Sequence, residues 1–135
     1  MWKFLKRDLA GSILLGVNAL LTACVGTVEL ADGKRIPLNS QEFEDYVEYV
    51  FKYQNKVADE LTFALVDGDA AESDSQLALE AAEAKLLLAC SGLNELATAR
   101  RDGLRLSVRR KLKLARQVPD CEHAAAAARS AIEIR

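Results

Sequence analysis

The chain has 135 residues, with 18 Lys and Arg against 20 Asp and Glu, and half of its residues are apolar. That leaves room for one domain with a modest core, and it excludes a disordered tail, a polytopic membrane protein and a strongly basic nucleic-acid binder. Seven glycines and two prolines are too few for an all-β fold with many tight turns, so the expected class is all-α.

Residues 1–23 read as a targeting segment rather than as part of the fold. Lys3, Lys6 and Arg7 make a cationic start with Asp8 beside them, and Leu9 to Leu20 is an apolar run interrupted by Ser12 and Asn18. Leu21-Thr22-Ala23-Cys24 follows. This segment resembles the lipobox of bacterial lipoprotein precursors, in which Leu, a small residue and Gly, Ala or Ser precede an obligatory cysteine. The resemblance covers residues 1–24 only, and Asn18 is a mild departure from it. It implies that Cys24 takes a diacylglyceryl thioether, that signal peptidase II cuts before it, and that the new amino group is open to acylation. Two or three acyl chains on one residue anchor a protein to the bilayer stably. One chain, at ~0.8 kcal/mol per buried methylene, is marginal. Val25 stands where an Asp retains many Gram-negative lipoproteins at the inner membrane, so the implied address is the outer membrane, facing the periplasm. Two other readings stay open. Leu9 to Val28 carries no charge over 20 residues, about enough to span a bilayer, although three glycines and an Asn make it a poor span. The segment also fits a plain secretory signal that leaves Cys24 as a free thiol.

Residues 24–38 form the expected tether arm, which reaches up to ~50 Å if extended. Within it, Thr27-Val28-Glu29-Leu30 and Lys34-Arg35-Ile36-Pro37 flank Asp32-Gly33, the pattern of a short hairpin. A helix over about 40–66 follows, with Asn39 and Glu42 at capping-box spacing. Phe43, Tyr46, Val47, Val50, Val57, Leu61, Ala64 and Leu65 supply its apolar stripe. Residues 67–74 form an acidic connection that lacks the residue order of a calcium loop. Further helices are expected over about 75–102, 104–117 and 119–133, with Gly103 as a stop and Pro119 in a tolerated first-turn position. The predicted architecture for residues 39–135 is a small up-and-down four-helix bundle.

Besides Cys24, two cysteines remain, Cys90 and Cys121. An even number in an oxidising compartment predicts one disulfide. Geometry agrees: if the chain reverses at Gly103, the helix after it returns about fourteen residues and brings Cys121 beside Cys90. Closing that loop is worth roughly 3–4 kcal/mol. Cys121-Glu122-His123 lacks zinc-site spacing, and no metal or cofactor is expected.

Charge is segregated along the chain. Residues 95–135 carry ten basic and five acidic groups, and residues 29–83 carry four and fourteen. Arg105, Arg109, Lys113 and Arg116, with Arg110 beside them, are spaced as one stripe on the third predicted helix. That stripe is either a docking face for an acidic partner or anionic headgroups, or a face neutralised by the acidic first helix. Phe63 falls on the polar side of the first helix and is a candidate anchor for a partner helix, or else packs under the acidic connection. His123 is the only imidazole, and no catalytic motif is present, so the chain is not expected to be an enzyme or to bind nucleic acid. The expected function is a lipid-anchored protein-binding or assembly module of an envelope machine serving secretion, pili or conjugation. In size, anchor and architecture it resembles the pilotins of type II secretion systems, small lipoproteins whose disulfide-bearing helical bundle binds a secretin helix in a groove. No pilotin sequence motif is present, so no binding residues carry over. The competing class is a small-ligand-binding or envelope-stress lipoprotein without a dedicated protein partner.

Overall fold

The structure, a computed structural model, describes residues 26–67 and 74–134. The predicted targeting segment, Cys24 and most of the acidic connection lie outside the described residues. Strands β1 (Thr27–Glu29) and β2 (Arg35–Pro37) pair antiparallel, Val28 opposite Ile36. The alternation predicted for the arm is real: Val28 and Ile36 are buried while their neighbours face solvent. Gly33 turns the ribbon at a φ of 85°, a conformation that costs glycine nothing. Lys34 N–H donates to Asp32 Oδ1 at 2.9 Å inside the turn. A two-stranded ribbon is marginal alone. This one is held by a small apolar cluster of Val28, Ile36, Leu38, Phe43 and Ala115.

Helix α1 (Gln41–Val66) begins at Ser40, whose Oγ accepts the Phe43 N–H at 3.1 Å and donates to the Pro37 carbonyl at 2.7 Å. The cap is therefore Ser40 and not Asn39. Glu42 does not close a capping box, because with Ser40 as cap the third helical position is Phe43, and the Glu42 carboxylate pairs instead with Lys34 of the ribbon. Phe43, Val50, Val57, Leu61 and Ala64 form the buried stripe, at the three- and four-residue spacing that puts them on one face.

The single helix predicted over 75–102 is two, α2 (Asp74–Ala89) and α3 (Ser91–Arg101). The break falls at Cys90, with φ −87° and ψ 0°. Two contacts from the chain's last helix converge there. Cys90 is disulfide-bonded to Cys121, and the neighbouring Gly92 backbone lies against Gln117, whose Oε1 would sit 2.2 Å from any added Cβ. Gly103, at φ 66°, reverses the chain after α3, and the Leu104 N–H returns to the Ala99 carbonyl at 2.8 Å.

Helix α4 (Val108–Ala115) starts later than predicted because Ser107 caps it, accepting the Arg110 N–H at 3.2 Å. Helix α5 (Val118–Glu133) follows directly, with Pro119 in its first turn. Tyr46 near the start of α1 bonds Glu122 near the start of α5, so these two helices run the same way. The C-terminal end of α2 meets the N-terminal part of α5 through the disulfide, so α2 runs against both.

The main core lies where α1, α2 and α5 meet. Leu79, Leu86 and Leu93 interlock there with Val50, Val57 and Leu61. The α5 side contributes Val118, Cys121, Ala125 and Ala128, small residues that allow close approach. Gln54, the one buried polar side chain among the described residues, donates to Asn55 at 2.9 Å and Asn94 at 3.4 Å, which removes the cost of burying its amide. The fold is thus an all-α bundle with a two-stranded arm and one disulfide. Among the described residues no helix is long and apolar enough to cross a membrane.

Candidate docking cleft

The short helices α3 and α4 pack as a hairpin over the N-terminal end of α1 and leave a cleft of about 380 Å³. Phe43 and Val47 of α1, Leu96 and Ala99 of α3, and Leu104 and Leu106 of the linking segment give it an apolar lining. Leu104 is 63% exposed at its mouth, so apolar surface reaches the opening.

The polar groups on this cleft are mostly cationic: Arg100, Arg105 and Lys111, against one acid, Glu44. Arg100 lies 3.8 Å from Glu44, an exposed pair worth little to stability. Arg105 and Lys111 enter no ion pair among the described residues. The field at the mouth is positive and its floor is apolar, a combination that accepts an amphipathic group carrying negative charge.

The five predicted basic residues are divided by the fold. Arg105 is not on a helix: Gly103 and the Ser107 cap hold residues 104–106 outside α4, and this segment turns Arg105 toward the cleft. Arg110 is taken by Glu95 of α3 in a two-pronged contact, with N–O distances of 2.9 and 2.6 Å. That carboxylate raises the Arg110 pKa by hydrogen bonding first and by charge second. Arg109, Lys113 and Arg116 remain on the outer side of α4, exposed and without an ion pair among the described residues. Neutralisation is therefore local. It comes from α3 for Arg110, and among the described residues no carboxylate of α1 forms an ion pair with any of the five.

Phe63 is 71% exposed, on the polar side of α1 as predicted. It stands 20 residues from Phe43, about 30 Å along the helix, so the structure does not bring it to the basic residues. His123 is exposed, and no cluster of His, Cys, Asp or Glu among the described residues could hold a metal. Cys90 and Cys121 are joined as expected. The Tyr46 hydroxyl donates to Glu122 Oε2 at 2.6 Å, and its pKa is raised, by burial first and then by that carboxylate. Tyr49 and Tyr53 stack with ring centres 6.1 Å apart.

The cleft itself was not foreseen, because it is made by α3 folding away from α2 at Cys90. The one local signal for it is Leu104-Arg105-Leu106, an alternating run between a helix-stopping Gly103 and a capping Ser107. No family model matches the chain, and no curated protein and no solved structure is significantly similar to it.

Proposed function

We propose that the protein is a lipid-anchored periplasmic adaptor that docks an acidic amphipathic segment of an envelope protein in the cleft between α1, α3 and α4. The observation that carries this proposal is the apolar cleft bordered by two cations, Arg105 and Lys111, that enter no ion pair among the described residues. A partner helix would bury its apolar side against Val47, Leu96, Leu104 and Leu106, and set carboxylates against Arg105 and Lys111. The anchor rests on the lipobox-like Leu21-Thr22-Ala23-Cys24, and residues 25–38 connect it to the bundle. In this reading the outer membrane holds the adaptor and the cleft presents it to a machine for secretion, pilus assembly or conjugation, in the manner of a pilotin.

The test is crosslinking in intact envelopes followed by mass spectrometry of the captured material. It compares the wild type with Cys24→Ser and with Arg105→Glu plus Lys111→Glu. The adaptor reading expects one envelope protein that disappears with either variant, while wild-type bait carries the mass of an acylated Cys24. Recovery unaffected by the cleft variant refutes docking there, and an unacylated mature chain refutes the anchor. The cleft's volume also supports a second reading, a small amphiphilic anion bound without a protein partner, since ligand pockets run from about 300 to 1,000 Å³. A bound lipid or organic acid in the intact-protein mass spectrum, with no captured protein, would establish it.

A further inference from the structure

Helix α2 is apolar on two sides. Leu79 and Leu86 are buried in the main core, while Leu77, Leu87 and Leu88 are 57%, 63% and 78% exposed. Ala81 and Ala84 are exposed between them. A helix that is hydrophobic all round is normally enclosed, yet among the described residues nothing packs on this outer side.

The pattern on that side indicates what covers it. Leu77, Ala81, Ala84 and Leu88 follow one another at four, three and four residues, the d, a, d, a positions of a heptad seam. In this register Glu80 is a g residue and Lys85 the e residue five places on. Both are exposed, and neither has an ion pair within the chain among the described residues. When two such helices lie parallel, the g flank of one meets the e flank of the other, so Glu80 of each copy faces Lys85 of its mate. When they lie antiparallel, like flanks meet and each charge faces its own kind. The charges thus select both the occupant and the direction.

We propose that the outer face of α2 pairs in parallel with the same face of a second copy, forming a two-fold homodimer. The alanines let the two backbones approach closely, Leu77 and Leu88 close the ends of the seam, and Leu87 flanks it. Parallel pairing sets both β-ribbons at one end of the dimer, as two chains anchored in one bilayer require; this point of agreement rests on the anchor proposed above. None of the cleft's lining residues belongs to α2, so the dimer leaves both clefts open. The seam is short, and its partners gain from being concentrated on a membrane surface.

The experiment uses the full chain in intact envelopes, with Ala84→Cys as a reporter at a d position. Mild oxidation is expected to give a disulfide-linked species of twice the chain mass on a non-reducing gel. Adding Lys85→Glu, which sets Glu against Glu at two symmetric places, should lower the yield roughly fivefold. Glu80→Lys together with Lys85→Glu should restore it. Arg105→Glu with Lys111→Glu should leave the crosslink unchanged, which separates this claim from docking in the cleft. An unchanged circular dichroism spectrum shows that each variant folds. Monomer alone from Ala84→Cys, an adduct of any other mass, or a double swap that fails to rescue each overturns the parallel dimer.

Discussion

Three consecutive leucines, Leu86, Leu87 and Leu88, should respond very differently to truncation. Leu86 is 1% exposed and sits in the core with Leu79, Leu93 and Val57, whereas Leu87 and Leu88 are 63% and 78% exposed. Truncating a buried leucine removes its transfer free energy and leaves a cavity that close-packed neighbours fill only in part, at a cost of about 2–5 kcal/mol. Here the surroundings are pinned by the Cys90–Cys121 disulfide next to Leu86, so relaxation is limited and the upper half of that range applies. In a domain of this size each kcal/mol moves the melting temperature by roughly 4 °C, so Leu86→Ala should melt about 14 °C lower or more. In the single chain, which dilute detergent solution favours, Leu87→Ala and Leu88→Ala remove area that is already wet and should stay within about 0.5 kcal/mol of the parent. The assay is thermal and urea unfolding of the full chain in dilute detergent solution, followed by circular dichroism. Near-equal melting of the three variants, or a larger loss at Leu88 than at Leu86, would refute the assignment of α2's inner face.

Replacing both Cys90 and Cys121 by Ser opens a loop with a sequence separation of 31 and should cost about 3–4 kcal/mol; equal melting of oxidised and reduced wild type would contradict this. Ser40→Ala removes the cap of α1 and should cost about 1 kcal/mol, measured by urea unfolding, while Asn39→Ala should be silent. The Tyr46 phenol has its pKa raised in the folded state, so the protein gains stability from keeping it neutral. That gain is fully present below the ordinary phenol pKa of about 10 and is lost as pH rises beyond it. Tyr46→Phe should therefore flatten the alkaline limb of stability against pH, and an unchanged limb would count against burial of the phenol beside Glu122.

The elements whose signals are local were legible in the sequence. Asp32-Gly33 between two alternating runs marked the ribbon, the stripe from Phe43 to Leu61 marked α1, and Pro119 marked the start of α5. The disulfide followed from cysteine parity together with the reversal at Gly103. Long-range competition decided the rest. Ser40 rather than Asn39 caps α1, with its hydroxyl also tied to the Pro37 carbonyl of the ribbon, so Glu42 falls one place short of the capping-box position. The helix expected over 75–102 divides at Cys90, although Ala, Leu and Glu favour helix on both sides, because the disulfide and the Gly92–Gln117 contact are tertiary constraints that propensity does not contain. The basic stripe looked continuous since spacing alone cannot tell that Ser107 caps a helix and leaves Arg105 outside it. The cleft was hidden too: its walls come from Phe43, Leu96 and Leu106, brought together by the break at Cys90 and the turn after α3. Helix α2 had no clear polar face in sequence, and its two apolar faces emerge only when α1 and α5 occupy one of them.

The central claim is that the cleft, rather than the exposed Phe63 or the outer side of α4, meets the partner. Site-specific photocrosslinking in intact envelopes tests it most directly, with the photoreactive residue placed in turn at Leu104, Leu106, Phe63 and Lys113. The account predicts one adduct of defined mass from Leu104 and Leu106, lost when Arg105→Glu and Lys111→Glu are added, and none from Phe63. An adduct from Phe63 alone, or adducts from Leu104 that persist after the charge reversal, would contradict it.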